Sequence, residues 1–178
     1  MPARFGMRVT MLQILQYNAV GKAARRQMRE PDIERLQKLA DEVLVLKDEL
    51  QLSGKPSLNP HQMHRFMNTD LGFHALLMRL AANARILKVV IETRLLIRIF
   101  AMHHQGHRVS ELERIHAQHC DILRAVVEGN AERAMHLIAG HIQSSQKERL
   151  EEFDQWEREN SLKDSVPVFF DMLAPAAE

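Results

Sequence analysis

Apolar residues recur at three- and four-residue steps along most of this chain, the period of one face of a helix. From about Met7 to Met28 the repeating positions are Val9, Leu12, Leu15, Ala19, Val20 and Ala23. The segment closes on Lys22, Arg25, Arg26 and Arg29, charges that suit a helix C-terminus. A second helix is predicted from Pro31-Asp32, with proline in the first turn. Its stripe is Ile33, Leu36, Leu39, Ala40, Val43, Leu44 and Leu46, and Ser53-Gly54-Lys55-Pro56 breaks it. A third begins at Asn59-Pro60, a cap followed by proline, and runs to about Ala82. Asn83 is placed to cap a fourth, from about Ala84 to His103. That helix is apolar around much of its circumference, which suits a central helix or one covered by a partner subunit.

The connector His103-His104-Gln105-Gly106-His107 reads as a solvated loop. Ser110 then resembles an N-cap, with Glu113 three residues on completing a capping box. The fifth helix places Leu112, Ile115, His119, Ile122, Leu123 and Val126 on one stripe and ends at Gly129. A sixth starts after Asn130 and runs to about Glu159. Ala134, Leu137, Ile138, His141 and Ile142 face inward, and the charged stretch from Lys147 faces solvent. A tail over 160–178 carries Val166, Val168, Phe169, Phe170, Met172 and Leu173, able to dock on the rest. No alternating strand pattern appears. The expectation is one all-α domain over 1–178, an antiparallel bundle of six to seven helices with its core over about 7–159.

Composition changes this picture little. Ten methionines and few aromatics (5%) belong to a helical palette. A formal charge of +1 argues for neither nucleic acid nor membrane. The longest apolar run, Ile86 to Ala101, is interrupted by Lys88, Glu92, Arg94 and Arg98 and so does not read as a membrane span. No signal peptide is apparent, and the lone Cys120 excludes an intrachain disulfide and fits a reducing compartment. A cytoplasmic protein is expected.

The chemistry concentrates at Asp70-Leu-Gly-Phe-His74. Asp70 and His74 are four residues apart, so they share one face, and that face also carries Phe66, Phe73 and Leu77. A carboxylate aimed at a core is costly unless something pairs with it. His119 and His141 fall on apolar stripes of two other predicted helices. One aspartate and three histidines converging in a bundle suit a divalent metal, Zn, Ni or Mn foremost. Singly, each histidine reads rather as a core residue bonded to its neighbours; it is the three together with Asp70 that favour the metal. His116, three residues before His119, is a substitute ligand or an outer partner. Glu113-Arg-Ile-His116 is a lone Glu-x-x-His element, too little for a di-iron centre. Arg94 and Arg98 stand four apart on an otherwise apolar helix. Either they snorkel to solvent, or one faces the cavity and grips a ligand carboxylate.

These residues carry a resemblance. Asp70-Leu-Gly-Phe-His74 followed by Leu77, Ala81, Asn83 and Leu87, then His119-Cys-Asp-Ile-Leu-Arg-Ala-Val-Val-Glu-Gly129, Ala134, Met135 and His141, resembles the effector-binding C-terminal domain (FCD) of FadR-type regulators in the GntR superfamily. The likeness spans roughly Leu12 to Arg149. It implies a helical bundle in which Asp70, His74, His119 and His141 hold a divalent metal. It also implies a small organic acid bound beside that metal, with Arg94 near the pocket; Asn83, His116 and Arg98 are further ligand-facing candidates on the reading of the residues themselves. Members are commonly homodimers and act on DNA through an N-terminal winged helix of about 70 residues. Here the first helix begins almost at Met1, so this polypeptide alone is not expected to bind an operator. Met11-Leu-Gln-Ile-Leu15 also lacks the Arg-x-x-x-Glu element frequent in the family's first helix.

The expected function is therefore that of a ligand sensor, not an enzyme. A metal-dependent hydrolase using the same four residues and a purely structural metal-binding bundle are the alternatives. No Gly-rich phosphate loop, His-Glu-x-x-His or nucleophile elbow is present in the sequence.

Overall fold

The computed structural model describes residues 16–26, 28–82, 87–88 and 106–165, and no strand occurs among them. Helix α1 covers 16–24. Among the described residues four long helices follow, α2 (Glu30–Ser53), α3 (Pro60–Leu80), α4 (Val109–Val127) and α5 (Ala131–Ser165). The architecture is an all-α bundle, as the periodicity predicts. Most of the predicted fourth helix, the tail from 166 and the chain before 16 lie outside the described residues, and with them Asn83, Arg94 and Arg98.

Helix α2 packs on both α3 and α4, and α4 packs on α5. Cross-links show that these neighbours run antiparallel. Arg65 of α3 reaches Glu49 at 2.9 Å and Glu42 at 2.6 Å on α2, whereas Gly72, two turns further along α3, faces the earlier residue Leu39. The Arg65 hydrogen bond holds the Glu49 carboxyl below the usual carboxylate range. Between α4 and α5 the same reversal pairs Gln118 with His141 and Arg114 with Glu148.

Short polar signals set the helix ends. Asn59 accepts from the Gln62 backbone N–H at 2.9 Å, and the Gln62 side chain accepts from the Asn59 N–H at 3.2 Å, closing a capping box ahead of α3. Gly54 (φ +63) ends α2 and Gly129 (φ +71) follows α4, both in the left-handed region that favours glycine. Asn130 caps α5 by accepting from the Arg133 N–H at 3.0 Å.

Three expectations need correction. Helix α1 ends at residue 24, short of Met28, with a turn at 25–26. Helix α4 starts at Val109, so Ser110 lies in its first turn and Glu111, not Glu113, reaches back to the chain before the helix. One Glu111 oxygen lies 3.0 Å from both the Arg108 N–H and His107 Nδ1. His107 is in turn buried against Phe66, ring centroids 4.4 Å apart and nearly perpendicular. This tertiary anchor overrides the local Ser-x-x-Glu pattern, and it places His107 in the core rather than in a solvated loop. Helix α5 continues to Ser165, past the expected end near Glu159.

Among the described residues the core forms two clusters. The larger gathers Ala19, Val20 and Ala23 of α1, Leu36 and Ala40 of α2, Phe73, Leu77 and Met78 of α3, Ile122 and Val126 of α4, and Ile138 and Ile142 of α5. The smaller gathers Val43, Leu46, Leu50, Leu58, Phe66, Leu112 and Ile115. Along α3, Asp70 falls between Phe66 of one cluster and Phe73 of the other. Along α4, His119 falls between Ile115 and Ile122 in the same way. A polar layer therefore lies between two apolar ones.

The connectors before α3 and α4 are tied by a hydrogen bond from Leu58 N–H to the His107 carbonyl at 2.9 Å. A Cβ at Gly106 would overlap the Leu58 backbone, which cannot rotate aside as a side chain can. Gly106→Ala is expected to cost about 1–3 kcal/mol, as overpacking does, read as a lower urea midpoint at unchanged m-value. A midpoint equal to that of the parent would show that the two connectors separate freely.

Candidate metal centre

Asp70 and His74 come from adjacent turns of α3, His119 from α4 and His141 from α5. One ligand-type atom from each lies within 4.8 Å of all the others. His74 and His119 are fully buried and His141 is 2% exposed, whereas the Asp70 side chain retains 17% exposure. Asp70 Oδ1 is 3.6 Å from His74 Nε2 and 3.5 Å from His119 Nε2. His74 Nε2 and His141 Nε2 face each other at 3.1 Å. The Phe73 ring stacks on His119, centroids 4.1 Å apart and planes 9° from parallel, which fixes the orientation of that imidazole.

These atoms suit a divalent ion on two counts. Nitrogen and oxygen ligands about 2.0–2.2 Å from a common metal stand roughly 3.0–3.6 Å from one another, and the Asp70–His74, Asp70–His119 and His74–His141 pairs have that spacing, at 3.6, 3.5 and 3.1 Å. Both His119 ring nitrogens are also buried with no hydrogen-bond partner, an expensive condition for a polar group unless something else satisfies it. Three neutral imidazoles and one carboxylate carry a single negative charge. A divalent ion among them leaves the site net positive, which favours a further anion. The four residues can hold a metal ion.

Other candidates fall elsewhere. His116 Nε2 is 3.4 Å from Cys120 Sγ and 3.7 Å from Asp41 Oδ1, so its ring is engaged toward α2 and away from the other three histidines. Burial, with Asp41 adding to it, pushes the Cys120 thiol up. Glu113 is exposed. His64 pairs with Asn68 on the surface of α3.

Two residues at the centre escaped the sequence reading. Gln16 of α1 is fully buried, with Oε1 2.9 Å from His74 Nδ1. Gln118 of α4 has its Oε1 2.9 Å from His141 Nδ1. Gln16 had a readable signal, since it stands three and four residues before Ala19 and Val20 on the apolar stripe. Gln118 had none, because only the packing of α5 brings His141 to it.

A helical bundle with an Asp-His-His-His core defines the class of protein, and comparison with known families narrows it. The family model of the FCD domain matches residues 9–144. The chain belongs to the FCD family, the C-terminal effector-binding domains of GntR/FadR-type transcriptional regulators. No curated protein sequence matches it significantly. Among the described residues no helix is long and apolar enough to cross a membrane.

Proposed function

We propose that this domain senses a small organic acid through a divalent metal, Zn, Ni or Mn, held by Asp70, His74, His119 and His141. The observation that carries the reading is the buried convergence of these four donors in a domain of an effector-binding family. When bound, the metal supplies positive charge inside a low-dielectric core and coordination positions that a carboxylate can complete. The protein's own part is to hold three imidazoles and one carboxylate in place before the ligand arrives. Asp70, partly exposed, marks the solvent side of the centre. Arg94 is proposed to add a charge-assisted bond to the carboxylate, with Asn83 and Arg98 as further polar partners. Occupancy then shifts the relative positions of α3, α4 and α5, each of which supplies a ligand. The shift is passed to a winged-helix DNA-binding domain, with a homodimer as the working unit. The role is binding rather than turnover.

The test begins with metal analysis of protein purified without a histidine tag. About one metal per chain is expected, or uptake of one on adding Zn, Ni or Mn. The loaded protein is then screened against small mono-, di- and hydroxycarboxylates. A ligand at a hundred times its Kd should add about 2.7 kcal/mol, which for a chain of this size raises Tm by roughly 5–10 °C. Arg94→Ala should reduce that shift while leaving metal content unchanged. Failure to take up any of the three metals would overturn the metal-sensor reading. Hydrolysis of esters or amides by the loaded protein would replace sensing with catalysis.

A further inference from the structure

We propose that Gln118 is a positioning residue for this centre. Pinned by Arg114, its amide oxygen fixes the His141 proton on Nδ1 and leaves a bare Nε2 facing His74. The proposal rests on reading the four residues as a metal centre.

Which end of an amide is oxygen is decided by its partners. A guanidinium can only donate. Arg114 Nη1 lies 3.0 Å from Gln118 Oε1, so that atom is the oxygen. The same oxygen is 2.9 Å from His141 Nδ1. Oxygen of an amide only accepts, so His141 Nδ1 must carry the hydrogen. In a neutral imidazole the other nitrogen is then a lone pair, the form a metal requires. That nitrogen is the one 3.1 Å from His74 Nε2.

Arg114 is itself held. Its Nη2 reaches Glu148 on α5 at 2.6 Å, and both side chains are only about one-third exposed (30% and 28%). A continuous series of contacts thus runs from Glu148 through Arg114 and Gln118 to His141, crossing from α5 to α4 and back. Gln16 offers an instructive contrast. Its Oε1 meets His74 Nδ1 at 2.9 Å, but its Nε2 is buried without a hydrogen-bond partner. Among the described residues, nothing on the far side of Gln16 decides which end faces the ring. The protein thus dictates the tautomer of His141, and Gln118 is the residue that dictates it. Being neutral, the amide orients the ring without adding a second negative charge to the site.

The test compares the full chain with Gln118→Met, which keeps length and helix propensity but accepts no hydrogen bond, and with Gln118→Glu, which still accepts from both Arg114 and His141. Zn affinity is measured by competition with a chelating dye. Loss of an outer partner typically weakens metal binding about 10–100-fold. That loss is expected for Gln118→Met, with affinity kept in Gln118→Glu. Nitrogen-15 shifts of the His141 ring in metal-free protein supply a readout that packing alone would not move. The proton should sit on Nδ1 in the parent and in Gln118→Glu, and be shared between both nitrogens in Gln118→Met. Should Gln118→Met not fold, Gln118→Ala takes its place. A folded Gln118→Met that binds Zn as tightly as the parent and keeps the Nδ1 proton would overturn the proposal with the metal reading intact. If the parent binds no Zn yet the ring proton moves as described, the metal reading falls and the positioning role stands.

Discussion

Asp70→Ala is expected to lower Zn affinity by more than about a hundredfold, beyond the 10–100-fold range typical of residues that only touch a ligand. Asp70 is the single carboxylate of the four, so its loss removes both a donor and the one negative charge among those donors. What remains is three imidazoles in a buried setting, where bringing in an uncompensated dication is costly. The fold itself should tolerate the change, because Asp70 keeps 17% exposure and sits at the edge of the apolar layers rather than within one. Metal-free protein should therefore melt close to the parent, while the rise in Tm on adding Zn disappears. Unchanged affinity would remove Asp70 from the centre. Wholesale unfolding of the variant would instead mark the metal as structural, since binding free energy would then be folding free energy.

Phe73→Ala carries the second large effect, a loss of about 3–5 kcal/mol in folding stability. Phe73 is fully buried in the larger core cluster, and deleting its ring leaves a cavity among helices that cannot all collapse inward. For a chain of this size the loss corresponds to a fall in Tm of roughly 6–20 °C. The same ring lies flat on His119, so metal affinity should drop along with stability as the imidazole gains freedom. Urea unfolding of the metal-free protein separates the two contributions. A loss below about 1 kcal/mol would mean the neighbours refill the space. Phe73→Leu, which keeps most of the apolar volume without the stacking face, should spare stability more than it spares metal binding.

The two variants probe one design from opposite sides. The polar layer of Asp70 and His119 exists because apolar residues a turn or two away on each helix hold α3 and α4 together. Packing supplies the rigidity, and the centre uses it to keep its donors apart by fixed distances. Sensing requires that this arrangement differ in free energy between the empty and filled states, which a loosely held site cannot provide.

Much of this was legible in the chain alone. The helical period put Asp70 and His74 on one face and placed His119 and His141 on apolar stripes, and all four meet in the folded protein. Asn59-Pro60, Gly54, Gly129 and Asn130 marked ends that the structure keeps, because caps and left-handed turns depend on a few neighbouring residues. Tertiary structure decided the rest. Periodicity states which side chains share a face but not which face of another helix they meet. His116, one turn from His119, turns to Asp41 and Cys120 instead, and Gln118 meets His141 only because α5 folds back along α4. Helix α4 begins where Glu111 anchors His107 against Phe66, a contact between residues distant in the chain that no local pattern contains. Local chemistry determined the helices and nominated the four donors. Long-range packing determined which of their nitrogens meet a glutamine and which face one another, because a hydrogen bond between helices depends on two surfaces and the sequence of either one specifies only its own.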